Sequence, residues 1–204
     1  MKFFLIFFFF SCLFNHKASS LDTIAKQAIL YDYETKTIIF EKNSEELMSP
    51  SSMSKIMTIY YVFKKIKDGD LKLTDKFKVS KKAWKKGGSK MFVNVNTMVS
   101  VEDLIRGIIV QSGNDACIAI AEGISGSEAL FAEELNLLAK EIGMMNSSFT
   151  NSTGWPDPDH LTTIQDLLTL TVRTIEDFPE FYHYYAEKEF TYSGIKQLNR
   201  NPLL

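Results

Sequence analysis

The apolar residues of this 204-residue chain form one long block at its beginning and several shorter, patterned segments after it. The block covers residues 3–14, follows a positively charged start, and gives way to small and polar residues that include Ala18 and Ser20. This order is typical of a secretory signal peptide. The sequence therefore predicts a signal peptide over residues 1–20 and a mature chain that begins at Leu21.

Two other interpretations of this first segment rank lower. A membrane-spanning anchor needs about 18 or more apolar residues, and this run is shorter. A lipoprotein signal would use Cys12 as the lipid-bearing cysteine, but the bulky Phe10 stands just before the position that requires a small residue. An ordinary cleaved signal peptide fits the pattern best.

The next patterns indicate a β-hairpin and then a helix. Residues 28–33 and 36–41 favour extended structure and are separated by a two-residue turn, so they predict an antiparallel pair of strands. Ser49 and Pro50 are typical of a helix beginning, with serine as the N-cap and proline at the first helical position. The apolar residues that follow recur at helical spacing, which predicts burial along one face: Met53, Ile56, Met57, Tyr60 and Phe63.

The remaining patterns are predominantly helical. A serine or threonine followed three residues later by aspartate predicts helix beginnings at Ser100 and Thr163. A further helix is predicted over residues 127–142, and residues 189–192 favour a short strand. The polar residues 111–114 interrupt the helical pattern between two apolar segments.

Composition narrows the possible functions. The chain is 45% hydrophobic and 24% charged, which is ordinary for a globular protein. Its formal net charge of -2 gives no reason to expect a nucleic-acid partner. Eleven lysines lie within residues 64–90 and could attract an anionic polymer or lipid headgroup, but a solvated face is the favoured interpretation.

The residues with metal-binding or redox chemistry are few. After removal of the signal peptide, Cys117 is the single cysteine, so an internal disulfide is excluded and a small core residue is expected. His160 and His183 remain, and the sequence around them has no metal-ligand spacing. We therefore expect neither a metal nor another cofactor.

Ser52 and Lys55 form the first motif with catalytic potential. A spacing of three residues places them one helical turn apart on the same face, within possible hydrogen-bond reach. A serine nucleophile needs a base, and a lysine can serve only when neutral, with its pKa held well below the reference value of about 10.4. Ser51 is a geometric competitor, and Ser54 points elsewhere. Alone, this motif is weak.

Ser112 and Asn114 form the second motif, 60 residues after Ser52 and within the polar break between helical segments. A loop between helices can project a hydroxyl and an amide into a shared cleft. A Ser-x-x-Lys helix start followed by a Ser-x-Asn loop is the signature of penicillin-binding proteins and related β-lactamases.

These two motifs and their flanks closely resemble the low-molecular-mass D-alanyl-D-alanine carboxypeptidases. The resemblance covers nearly all of residues 25–204, and the segments that carry it are 50–58, 88–92, 105–107, 111–117 and 194–201. The resemblance implies an α/β (α+β) fold of the penicillin-binding protein and β-lactamase type, with a central antiparallel sheet flanked by helical clusters.

The resemblance also implies residue roles. Ser52 would attack the penultimate D-alanine carbonyl, Lys55 would be the base, and Ser112 would pass a proton to the departing D-alanine. Asn114 would bind the substrate amide. The implied partners are peptidoglycan stem peptides that end in D-Ala-D-Ala and β-lactam inhibitors, and the implied location is the periplasm or cell envelope.

The sequence departs from the family pattern after residue 201. The family's third motif, Lys-Thr-Gly, is expected shortly beyond this position, but the last residue of the sequence is Leu204. We therefore expect residues 21–204 to be a partial catalytic domain with a β-hairpin and a helical cluster, without the inner sheet strands or the C-terminal segment that anchors the family in the membrane. A polypeptide of these residues alone is expected to lack carboxypeptidase activity.

Two alternative functions remain from the sequence. A non-catalytic, truncated wall-binding protein would fit the missing third motif. A β-lactamase shares the first two motifs, but its deacylating glutamate is absent, because Ala132 stands where Glu-x-x-Leu-Asn requires it.

We predict that the exported protein begins with Leu21, because signal peptidase selects the small residues at Ala18 and Ser20. N-terminal sequencing of secreted protein checks this position. A retained Met1 or a lipid-modified Cys12 would show the prediction to be wrong.

Overall fold

The computed structural model describes residues 23–204, so the signal-peptide prediction for residues 1–20 lies outside the described residues. The described chain begins with an antiparallel hairpin of β1 (Ala28–Asp32) and β2 (Thr37–Lys42). The carboxylate of Asp32 accepts the backbone N–H groups of the next turn residues, which fixes the reversal of the chain. The predicted hairpin is confirmed.

The first helix begins differently from the prediction. Ser51–Ser54 form a single 3₁₀ turn, and α1 then covers Lys55–Lys67. Pro50 is itself the residue that caps the turn, and no side chain caps it, so the assignment of Ser49 as N-cap was wrong. The physical reason is Ser51, whose φ of 48° lies in the left-handed region and prevents a regular α-helical start.

This displaced start also changes which residues are buried. Met57, Tyr60 and Phe63 are buried as predicted, and Ile56 is partly buried. Met53 is 42% exposed because it lies on the 3₁₀ turn before α1 rather than on the buried face of the helix.

The other helices are α2 (Lys81–Lys85), α3 (Val101–Gln111), α4 (Asn114–Ser125), α5 (Glu128–Glu141) and α6 (Ile164–Asp177), and a second 3₁₀ turn covers Tyr182–Ala186. Of these, α3 to α6 lie close to their predicted positions, whereas α2 and the second 3₁₀ turn were not predicted. Ser100 and Thr163 accept the predicted capping hydrogen bonds, each at 3.1 Å, from the backbone N–H groups of Asp103 and Asp166. The break between α3 and α4 coincides with the predicted polar interruption.

Helix α4 is the centre of the hydrophobic core. Residues 114–121 of this helix are all buried, and α2, α3 and α5 pack around it. Cys117 is fully buried in this helix, as expected for a small core residue. The first turn of α4 carries Asn114, so this candidate residue lies at the beginning of a buried helical segment.

The strands form three separate two-stranded antiparallel sheets within residues 23–204. Besides β1–β2 they are β3 (Lys76–Lys78) with β4 (Met98–Ser100), and β5 (Glu189–Tyr192) with β6 (Ile195–Leu198). The architecture is α+β, with the expected hairpin and helical cluster and no larger central sheet in the described part. None of the helices described is long and apolar enough to cross a membrane.

Candidate active site

The structure brings Ser52 and Lys55 into direct contact. The Lys55 ammonium donates a hydrogen bond of 3.1 Å to Ser52 Oγ and another of 2.6 Å to the backbone carbonyl of Thr153. Lys55 is only 5% exposed. Its side chain extends from the first position of α1 to the Thr153 carbonyl in loop 151–155.

Burial is the largest influence on Lys55 and lowers its pKa. The positive charges of Arg200 and Lys86 lower it further. A charge on Cys117 would act in the opposite direction, but burial raises the pKa of that thiol to about 12. The thiol is therefore neutral at pH 7 and does not offset the effect. The site therefore shifts Lys55 toward the neutral amine that a proton acceptor requires.

Loop 151–155 is held against α1 by a buried carboxylate. Glu128 accepts hydrogen bonds from the backbone N–H and the hydroxyl of Ser152, and its other oxygen pairs with Lys82 at 2.7 Å. The Ser152 carbonyl in turn accepts a 2.8 Å bond from the Thr58 hydroxyl. Glu128 thus positions the Thr153 carbonyl that contacts Lys55.

His160 stabilises the 3₁₀ turn through a hydrogen bond to Ser54. The backbone N–H of Thr150 donates to His160 Nδ1, so the ring proton resides on Nε2, which lies 2.8 Å from Ser54 Oγ. Ser54 Oγ then donates to the Ser51 carbonyl at 2.8 Å. Burial lowers the pKa of His160, consistent with this neutral tautomer. The Ser54 hydroxyl is therefore already engaged in a structural chain of hydrogen bonds.

Gly154 permits the close approach between this turn and loop 151–155. Its φ of 76° lies in the left-handed region, and a Cβ there would lie 1.7 Å from the Ser51 carbonyl oxygen. A larger residue could not occupy this position without moving the turn that carries Ser52.

Ser112 has a strained backbone and lines a cavity together with Ser52 and Lys55. This cavity of about 400 Å³ is lined by Ser52, Lys55, Ser112 and Arg200 among others. Ser112 has φ 56° and ψ 37°, a left-handed conformation that costs a non-glycine residue about 1–2 kcal/mol. Its buried hydroxyl has no hydrogen-bond partner within residues 23–204. Such an unpaired hydroxyl in a strained turn is available for proton transfer.

Asn114 borders a second cavity, of about 280 Å³, which also contains Ser52 and Arg200. Its amide nitrogen donates to the Gly87 carbonyl at 2.9 Å, which leaves the amide oxygen to accept from a ligand. The neighbouring Asp115 accepts the backbone N–H groups of residues 91–93 and thereby fixes the segment beside Asn114. The nucleophile candidate therefore lies where the two cavities meet.

The sequence did not identify several residues that shape this site. Thr153 acts through its carbonyl, which leaves no signal in the amino-acid type. Glu128 and His160 act through tertiary contacts with segments that are distant in the sequence. Their residue types, an acid and a histidine, were the only signals that the sequence offered. Arg200 lay in a segment that carries the family resemblance, without an assigned role. A larger cavity of about 530 Å³ lies elsewhere, and none of the four predicted site residues lines it.

Comparisons with known proteins find relatives that match most of the chain. Residues 15–204 match the family model described as D-alanyl-D-alanine carboxypeptidase. The chain is 41% identical over 194 residues to the D-alanyl-D-alanine carboxypeptidase DacC of Escherichia coli (strain K12), which covers 92% of this chain and 48% of that protein. The chain spans about half the length of the curated relatives it matches.

Solved structures give the same fold. Penicillin-binding protein 5 from Haemophilus influenzae matches with a TM-score of 0.84 and 40% identity, over 88% of this chain and 53% of that chain. Penicillin-binding protein D2 from Listeria monocytogenes, in its ampicillin-bound form, matches with a TM-score of 0.79 and 25% identity, over 90% of this chain and 75% of that chain. The penicillin-binding protein fold expected from the sequence is confirmed.

We predict that Arg200→Gln raises the pKa of Lys55, because the substitution removes one of the positive charges that disfavour the ammonium. NMR titration of the Lys55 side chain measures this pKa directly. Arg173→Gln is the matched control, since Arg173 pairs with Asp177 and does not act on Lys55. An unchanged or lower pKa in Arg200→Gln would contradict the electrostatic account of the site.

We predict that Ser112→Gly increases the free energy of unfolding by about 1 kcal/mol, because glycine relieves the left-handed strain and removes an unpaired buried hydroxyl. The larger chain entropy of glycine in the unfolded state offsets part of the gain. Urea denaturation measures the change. Ser112→Ala is the control that removes the hydroxyl and keeps the strain. A less stable Ser112→Gly protein would show that the strain is not stored there.

Proposed function

Because the chain belongs to the D-alanyl-D-alanine carboxypeptidase family, we propose that it carries the catalytic serine of an enzyme that removes the terminal D-alanine from peptidoglycan stem peptides. One observation carries the proposal: a buried Lys55 donates a 3.1 Å hydrogen bond to Ser52, in a cavity that also contains the unpaired hydroxyl of Ser112.

The first half of the reaction forms an acyl-enzyme. Neutral Lys55 accepts the proton of Ser52 Oγ, which attacks the carbonyl carbon of the penultimate D-alanine. The backbone N–H of Ser52 donates to the oxyanion that forms on the carbonyl oxygen. The Thr153 carbonyl then stabilises the newly protonated Lys55, since it already accepts a hydrogen bond from that nitrogen.

The second half releases products. The peptide C–N bond breaks as the hydroxyl of Ser112 gives its proton to the departing amine and receives one from Lys55. Asn114 holds the acyl portion through its amide oxygen. Water then attacks the ester carbonyl and gives a proton to Lys55, and Lys55 returns it to Ser52 Oγ as the ester C–O bond breaks.

We also infer that β-lactams acylate Ser52, since their amide carbonyl presents the same kind of electrophile to the same hydroxyl. The β-lactamase alternative is not favoured. The sequence pattern considered for its glutamate, residues 132–136, lies inside α5 rather than in a loop beside Ser52, and it has alanine at the essential position.

The proposed location is the cell envelope. Residues 1–20 supply the export signal in this proposal, and peptidoglycan is the polymer outside the inner membrane on which the family acts. The lysines of residues 64–90 face solvent at most positions and could contact that polymer, but no site is assigned to them.

The test is covalent labelling of the natural protein that carries this chain with a fluorescent penicillin. We expect one label on Ser52, located by peptide mass mapping, and its loss in Ser52→Ala. Lys55→Ala is expected to slow labelling by about 10² or more, because a general base is removed. Ser51→Gly serves as the matched control, since glycine accepts the left-handed conformation of Ser51 and leaves Ser52 in place. Labelling that survives Ser52→Ala would refute the assignment.

A further inference from the structure

Trp155, at the wall of the cavity that contains Asn114, forms an aromatic and cationic pair with Lys86. Trp155 lines this cavity and is 43% exposed, with its indole ring against Gly87 and Gly88. The ammonium of Lys86 stands 3.8 Å from the centroid of the Trp155 ring. This geometry is a cation–π contact, and both side chains remain partly exposed to solvent.

Lys86 has no carboxylate partner within residues 23–204. The acid that acts on it electrostatically, Glu128, already pairs with Lys82 at 2.7 Å and bonds Ser152. Burial lowers the pKa of Lys86, the charge of Lys82 lowers it further, and Glu128 opposes both. A half-buried ammonium supported by one aromatic ring can therefore gain a stronger partner when an anion arrives.

The position of this pair relative to Ser52 indicates which part of a substrate meets it. Ser52 lies between two cavities, one lined by Ser112 and the other by Asn114. In the proposed function, Ser112 gives its proton to the departing D-alanine. The departing D-alanine therefore occupies the first cavity. The acyl portion that stays on Ser52 must then extend into the second cavity, toward Trp155.

We propose that Lys86 and Trp155 form a subsite that favours substrates with a carboxylate on the residue that precedes D-Ala-D-Ala. In this arrangement the Trp155 ring packs against the aliphatic part of that side chain, and the Lys86 ammonium pairs with its carboxylate. This inference rests on the proposed function, because it uses the direction in which the substrate lies across Ser52.

Binding of two matched peptides tests the subsite. Acetyl-Glu-D-Ala-D-Ala and acetyl-Gln-D-Ala-D-Ala differ only in the charge of the tested side chain. Binding is preferred to turnover as the readout, because Lys86 also influences the pKa of Lys55. The natural protein with Ser52→Ala binds without reacting, and the indole N–H signal of Trp155, assigned with Trp155→Phe, reports the affinity.

We expect the glutamate peptide to bind about fivefold more tightly than the glutamine peptide, as for one partly exposed ion pair. Lys86→Met should abolish this preference, whereas Lys85→Met, which changes the adjacent exposed lysine, should keep it. Trp155→Leu lacks the reporter indole, so its affinity is measured from the NMR signals of the peptides themselves, and it should bind both peptides more weakly.

Equal affinity for the two peptides, binding of neither, or a preference that persists in Lys86→Met would each overturn the subsite. Penicillin labelling of Ser52 in the otherwise unchanged protein separates this failure from that of the proposed function. Loss of labelling refutes the enzyme assignment, whereas intact labelling without a peptide preference refutes the subsite alone.

Discussion

The chemistry of this site depends on burying the Lys55 side chain away from solvent while it contacts Ser52. Burial of Lys55 disfavours its charged form, and the 2.6 Å hydrogen bond to the Thr153 carbonyl keeps the nitrogen in place in either protonation state. The two effects act in opposite directions on the ammonium, which is the balance that a reversible proton acceptor needs. Without burial the pKa of Lys55 would rise, and without the Thr153 contact its nitrogen would lose a hydrogen bond that positions it.

Buried polar side chains around Lys55 hold the surrounding segments in place, and each of them is hydrogen-bonded. Glu128 secures loop 151–155, Asp115 accepts several backbone N–H groups beside Asn114, and neutral His160 fixes the 3₁₀ turn through Ser54. Each of these polar groups is costly to bury unpaired, and each is paired. Ser112 is the contrast, since its buried hydroxyl has no partner within the described chain and its backbone is strained. Strain and an unpaired donor at one residue are typical of a functional position.

The fold followed from local signals wherever those signals were strong. The hairpin and the helices beginning at Ser100 and Thr163 were predicted because turn and capping residues act on their immediate neighbours. The start of α1 was predicted wrongly because Ser51 adopts a left-handed backbone conformation, which serine rarely favours locally. Ser51 lies against Gly154, a residue distant in the sequence, and local patterns do not report such a contact. The strand β6 was missed because it is stabilised mainly by pairing with β5.

The sequence by itself determined the family and brought Ser52 and Lys55 within reach, because a three-residue spacing at a helix start brings side chains together without help from the rest of the fold. Only the tertiary structure decided how Ser112 and Asn114 join them, how the pKa of Lys55 is lowered, and where Lys86 meets Trp155. These properties depend on burial and on contacts between segments distant in the chain. Such contacts are set by packing of the whole core, and no local pattern of residues encodes them.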